Sequence, residues 1–315
     1  MASTATSIPT PTPAPSFPLT GGRRAALLVG VPVCLALVAG TGFSLIGDFG
    51  EGRYPVSYAA PASTKALTLN VVGQLTIRSA TAGRATLTGT AKYSLARSKL
   101  TESTTGSVTT IGYRCPIPTG DCELDATATV PATVTTLTAN SGSGDETVAG
   151  IKGPVKLSTG DGDLSVSRAS GPLTLNTGSG SIAVSDSESA TVSASSGNGD
   201  IRADQVTSTT ITANTDSGNI DGTRIVTDTI TASSGNGDIQ ITLTSVPDDV
   251  RVNTNSGNIT IFLPHGGTRY HIAANSLSGS VSDATVPQST SSQHLITATS
   301  GSGNVSIIQE QPAGA

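Results

Sequence analysis

The octapeptide ASSGNGDI stands twice in the chain, at Ala194–Ile201 and at Ala232–Ile239. A glycine-rich turn closed by aspartate can cradle a phosphate, hold calcium through oxygen ligands, or present a carboxylate for proton transfer. The phosphate reading fails on the residues C-terminal to the turn. No Lys-Ser/Thr pair succeeds the glycines, and the next residues alternate as a strand does, where a nucleotide site needs a helix. The calcium reading centres on Asp145, Asp161 and Asp163, with Glu146 beside them. It departs from the nine-residue calcium β-roll repeat, because here aspartate follows the glycine directly and other copies carry Asn or Ser. Glycoside cleavage needs two carboxylates across one groove and usually aromatic platforms for sugar. The aspartates instead recur along the chain, and there is no Trp, with only 5 Tyr and 4 Phe. No catalytic residue and no cofactor is therefore assigned.

All three histidines, His265, His271 and His294, fall with Arg269 and Tyr270 in two longer segments near the C-terminus. They form a candidate partner-contact surface, since insertions on one side of a repeat often carry binding. A metal site is the less favoured use of the same imidazoles. Nucleic acid is excluded as a partner, because it requires a basic stripe. From Pro131 onward 7 Lys/Arg stand against 16 Asp/Glu, giving 7 − 16 = −9.

What positions the glycine turns is a repeat. Aligned on the second glycine of each turn, nine copies fall at Gly144, Gly162, Gly180, Gly199, Gly218, Gly237, Gly257, Gly279 and Gly303. Intervals of 18 to 24 residues point to a solenoid. Three residues before each glycine stands a hydroxyl: Ser141, Thr159, Thr177, Ser196, Thr215, Ser234, Thr254, Ser276 or Ser300. Aliphatic or alanine positions at offsets of two share its strand face. A second inward row follows the glycine, from Leu164 and Ile182 to Val305, with Glu146 as its one charged member. Each copy thus reads as strand, tight corner and strand. Stacked in parallel, the hydroxyls would lie buried beside the corner, each donating to one neighbour and accepting from another. Positive φ at a sharp corner is the expected reason for glycine. The Asp, Asn or Ser that comes next suits local bonding to the turn. At about 4.8 Å per coil, the eight steps between nine coils make a rod of roughly 38 Å.

The expected fold is all-β: a single-stranded parallel β-helix or β-solenoid of about nine coils spanning 131–309. An irregular β-cap over 66–130 precedes it, and a tail at 310–315 ends the chain. Cys115 and Cys122, in CPIPTGDC, are expected to pair as a disulfide closing a short loop.

The N-terminal region reads as a membrane anchor. Residues 25–47, AALLVGVPVCLALVAGTGFSLIG, are uncharged and long enough to span a bilayer, for which about 20 apolar residues suffice. Arg23 and Arg24 precede them and place the N-terminus in the cytoplasm. Residues 1–22 form a Pro/Ser/Thr-rich cytoplasmic tail, 23–47 the transmembrane helix with the lipid bilayer as its partner, and 48–65 a juxtamembrane linker. A cleaved signal peptide is the alternative, with Val38-Ala39-Gly40 as the cut site. Cys34 lies mid-span and is read as an inert thiol.

The segments VPATVTTLTANSGSGD, LTLNTGSGSIAV, ASSGNGDIQI and NTNSGNITIFLP resemble the bacterial putative-adhesin family of β-strand-repeat proteins, from about Ala66 to Ile308. The resemblance implies a bacterial envelope protein with a parallel β-solenoid, and it carries over no catalytic residues. The functional expectation is a non-enzymatic, membrane-anchored extracytoplasmic solenoid that binds an envelope or cell-surface ligand. The alternative is a sensory or regulatory envelope accessory with a cytoplasmic partner; a carbohydrate-active enzyme ranks third.

Overall fold

The chain divides into two units, Met1–Gly50 and Glu51–Ala315. The computed structural model describes residues 51–94, 96–116 and 122–309. The expected cytoplasmic tail, the spanning segment 25–47, Cys34 and residues 310–315 lie outside the described residues. Among those described, every regular element is a strand, and no helix is long and apolar enough to cross a membrane.

Strands β1 (Gly52–Ala59), β2 (Ala66–Val71), β3 (Leu75–Ala80), β4 (Thr86–Tyr93), β5 (Lys99–Thr105), β6 (Val108–Arg114) and β7 (Cys122–Pro131) form the N-terminal end. The repeat begins with β8 (Thr136–Ser141), β9 (Glu146–Ala149), β10 (Val155–Thr159), β11 (Leu164–Ser167) and β12 (Leu173–Thr177). Three longer strands come next: β13 (Ile182–Ser196), β14 (Ile201–Thr215) and β15 (Ile220–Ser234). Then come β16 (Ile239–Leu243), β17 (Asp249–Thr254), β18 (Ile259–Leu263) and β19 (His271–Ser276). The last are β20 (Val281–Ser282), β21 (Leu295–Ser300) and β22 (Val305–Gln309).

The repeat strands pair in parallel, one period apart and in register. Leu157 pairs with Ala139 on one side and Leu175 on the other, and Val166 with Val148 and Val184. Like residues therefore sit on like residues, and the resulting aliphatic rows, from Leu137 to Ile307, are buried. Burying one such side chain is worth about 1.5–3 kcal/mol, and no single coil can do it alone. The architecture is solenoid-like, with an interior filled by side chains. Its described interior void, about 20 Å³, lies where Ala203 and Gly222 stand in a row otherwise held by Val184 and Ile241.

Four features differ from the expectations drawn from sequence. The first is the order of stacking. β21 lies between β17 and β19, and β22 between β18 and β20, so the Gly303 coil sits between those of Gly257 and Gly279. The Gly303 coil brings Ile296, Ala298, Val305 and Ile307, all buried. The Gly279 coil offers the polar, half-exposed β19 and exposed β20. Burying the more apolar coil on both sides is the better use of its surface.

The second is a further coil inside the expected cap. β2 and β3 flank Gly73 and pair in register with β8 and β9. Its corner is one residue shorter, Val71 stands at the hydroxyl position, and residues 81–135 separate it from the next copy. A fixed-length alignment therefore passes over it. Beyond it lies a partial coil, with β6 parallel to β2 and β7 parallel to β3. The end is finished by antiparallel strands: β4 on β7, β1 on β4, and β5 on β6.

Third, Gly52–Ala59 of the expected linker is strand β1. Its alternation, RYPVSY, places Val56 inward and Arg53, Pro55 and Ser57 outward.

Fourth, positive φ does not explain the corner glycines. Gly144 has φ +128°, but Gly162 through Gly303 lie outside the left-handed region. A Cβ on Gly162 would collide with the carbonyl of Gly144, one on Gly180 with that of Gly162, and so on along the stack. Close approach between coils is what demands glycine.

Candidate functional surface

The corner is where the polar chemistry concentrates. Thr177 Oγ1 accepts the N–H of its own corner glycine, Gly180, at 3.0 Å and donates to the Gly162 carbonyl of the neighbouring coil at 2.9 Å. Ser196 does the same with Gly199 and Gly180, and Ser234 with Gly237 and Gly218. Thr159, Thr215, Thr254 and Ser300 continue the donation, and Ser276 donates to Gly303, which retraces the exchanged order of the last coils. The repeated hydroxyl is thus a bridge between corners, satisfying a donor and an acceptor that would otherwise be buried unpaired.

A second ladder runs through the residue after the glycine. Asp145 Oδ1 accepts the backbone N–H of Asp163 at 2.9 Å, and Asp163 Oδ1 that of Ser181 at 2.7 Å. Asp200, Asn219, Asp238, Asn258 and Asn304 each serve the adjacent coil in the same way. Asn and Asp carry the acceptor oxygen this needs, which is why both occur. The calcium candidates Asp145 and Asp163 thereby each commit one oxygen to holding coils together, while Asp161 lies exposed in the preceding turn. Among the described residues no group of three or more His, Cys, Asp or Glu side chains is arranged to hold a metal ion.

Two columns on the opposite bend have no counterpart in the sequence expectations. Arg168, Asp186, Gln205 and Arg224 take left-handed φ values of 48–56°, each six residues after a corner glycine. Asp186, Gln205 and Arg224 bend the long strands β13, β14 and β15, and Arg168 holds the equivalent place just after β11. Beyond them Ser189, Ser208 and Thr227 are buried, and each donates to a carbonyl of the adjacent coil. The signal was a second Ser/Thr column nine residues after the glycine, confined to three coils. Over this bend an open groove of about 590 Å³ crosses the coils, lined by Ser170, Glu188, Thr207, Ser208, Val226 and Asp228. Its lining holds hydroxyls and carboxylates and no basic or aromatic group.

Among the described residues, Glu146 is the one carboxyl placed in the interior. It is fully buried between Leu75 and Leu164, and neither oxygen meets a protein donor. Burial pushes its pKa from 4.5 up to about 8.

The C-terminal candidates are only partly a surface. His265, Arg269 and His271 are exposed. Tyr270 is fully buried, edge-on to the His294 ring at 6.0 Å, and its hydroxyl is raised in pKa by burial. His294 is half-buried with Nδ1 2.9 Å from the Pro247 carbonyl. Tyr270 and His294 therefore anchor the 283–293 segment and are removed from the contact surface. An aromatic and an imidazole in a polar stretch look identical in sequence whether they face in or out.

Cys115 and Cys122 form the expected disulfide, with Cα atoms 6.0 Å apart. It closes the corner of the partial end coil, between β6 and β7. Next to it Tyr113 is buried, and its hydroxyl donates to Ser98 Oγ at 2.7 Å.

The Toastrack DUF4097 family model matches residues 153–310, which begin at the corner preceding β10 and run through β22. The chain belongs to the Toastrack DUF4097 family. Two solved structures share its fold: a putative adhesin from Parabacteroides distasonis ATCC 8503, at 13% identity and TM-score 0.53, and one from Parabacteroides merdae ATCC 43184, at 11% and 0.53. A third, a putative lipid binding protein from P. distasonis, stands at 14% and 0.51. Each likeness covers 82% of this chain, and 97%, 96% and 97% of the respective structures. No curated protein matches. For this Toastrack chain each likeness, at 82% of the chain, extends past the segment 153–310 that the family model matches.

Proposed function

We propose that this protein is a non-enzymatic extracytoplasmic rod, a single-stranded parallel β-helix anchored in the cell membrane through residues 25–47, that binds an envelope or cell-surface component. The observation that carries the reading is the use made of the repeated polar residues. Hydroxyls, corner aspartates and asparagines are spent on coil-to-coil bonding, and what remains outward is a long flank of exposed hydroxyls and carboxylates suited to extended contact. The disulfide supports an oxidising compartment, where such bonds persist. The names of the adhesin-like structures support the same role. The P. distasonis lipid binding protein has the same fold, but the void beside Ala203 and Gly222, about 20 Å³, is too small for an acyl chain.

The test is a binding screen of the purified protein against cell-wall fractions and cell-surface glycans, repeated with Thr207→Lys and Ser170→Lys in the flank groove. Saturable binding reduced by the groove variants supports the reading. Retention of cytoplasmic regulators by residues 1–22, with no ligand for the outer part, would replace it with the sensory one.

A further inference from the structure

The two ends of the stack are built differently. At the N-terminal end the hydroxyl ladder stops at the Gly73 coil, where buried Val71 stands in the hydroxyl position. The outer strands there carry the features that discourage pairing with another chain: Arg53 and Pro55 on β1, Lys99 and Glu102 on β5, all exposed. At the other end the ladders run into the last coil unaltered. Ser276 still donates to Gly303 and Ser280 still bonds Asn304, but among the described residues no hydroxyl donates onward to the Gly279 carbonyl. Strand β19, HIAANS, is bonded on one side only, to β21. It contains no Lys, Arg, Asp, Glu or Pro.

The free edge can be accounted for residue by residue. His271 donates its N–H inward to His294, so the alternate residues Tyr270, Ile272, Ala274 and Ser276 present N–H and C=O outward. Tyr270 is already met by Pro287 and Ser289. That leaves Ile272, Ala274 and Ser276 as an open edge. Beside it Leu277 is 79% exposed and Val281 41%.

We propose that this edge pairs with the same edge of a second copy, antiparallel about a two-fold axis at Ala274. In that register Ile272 faces Ser276 of the second copy, Ala274 faces its counterpart, and every outward N–H and C=O of the three residues is matched. Centring on Ala273 instead would bring Ser276 against the already bonded Tyr270. Alanine at the axis lets the backbones approach, and the strand's lack of charge spares the repulsion that two acidic flanks would meet. Because the other end is closed, the contact is isologous and stops at two copies. The inference stands apart from whatever the flank binds.

The register is tested by disulfide trapping in the full-length chain with Cys34→Ser, in mild detergent. Across the axis Ala273 lies opposite Asn275 in a non-hydrogen-bonded pair, with Cα atoms about 4.5 Å apart, within disulfide reach. An equimolar mixture of Ala273→Cys and Asn275→Cys proteins should give about fivefold more oxidised dimer than either alone. Ala274→Pro, which removes an outward N–H and no bond to β21, should return the yield to background. A flank control, Thr209→Cys, should not crosslink. Equal yields in the mixture and the single variants, yields no higher than the flank control, or insensitivity to Ala274→Pro with unchanged melting would each overturn the pairing.

Discussion

Replacing Glu146 by leucine should stabilise the protein, increasingly so as pH rises. Folded, the carboxyl titrates at about 8; unfolded, it returns to 4.5. A folded pKa raised above the unfolded one favours the native state fully below pH 4.5, and that advantage is lost as pH climbs toward 8. At about 1.4 kcal/mol per pH unit, the loss reaches roughly 3 kcal/mol by pH 7 and levels off at about 5 kcal/mol above pH 8. Glu146→Leu removes the titration and restores an aliphatic row between Leu75 and Leu164, adding about 2 kcal/mol of burial. Urea unfolding of both proteins at pH 5, 6, 7 and 8 should show curves that diverge with pH. Glu146→Gln should flatten the pH dependence while leaving an unpaired polar group in place. If the difference between wild type and Glu146→Leu stays constant from pH 5 to 8, the carboxyl is not held in an apolar interior and the reasoning fails.

The corner bridge predicts that Ser234→Ala, which strands the Gly218 carbonyl and the Gly237 N–H, costs about 2 kcal/mol in the same assay. Gly218→Ala drives a methyl into the Gly199 carbonyl and should cost roughly 3 kcal/mol or prevent soluble expression, read by circular dichroism and yield. Gln205→Gly relieves a left-handed residue and should raise stability by about 1 kcal/mol, seen as a higher melting temperature. Ala203→Val fills the interior void beside Gly222 and should add about 1 kcal/mol by the same measure.

The repeat was legible because its cause is local and recurs. Each coil needs the same small residue where backbones touch and the same hydroxyl to bridge corners, so nine glycines and nine Ser/Thr positions stand in register. The reason for glycine was not legible, since a residue excluded by a neighbouring coil and one bent to positive φ leave the same letter. The true left-handed column, Arg168, Asp186, Gln205 and Arg224, carries four ordinary residues and gave no sign of itself. The Gly73 coil was hidden by a shortened corner and a long insertion. The exchange of the last two coils depends on which one is more apolar, a comparison across the chain that spacing alone does not make. At the surface, Tyr270 and His294 could not be told from exposed neighbours without the 283–293 segment that packs on them.

The exchanged coils also govern how the molecule can be completed during synthesis. A ribosome delivers β17–β18 and β19–β20 before the residues that belong between them, so no nascent chain ending before Leu295 can close its stack. Until β21 and β22 emerge, the aliphatic edge of β17–β18 and the more polar edge of β19–β20 stay unjoined, and the final strands act as a wedge driven between them. A premature stop between Ser282 and Leu295 should therefore yield a protein lacking more than its last coil: one whose β19–β20 strands have no coil to join them to β17–β18, readily seized by chaperones or proteases.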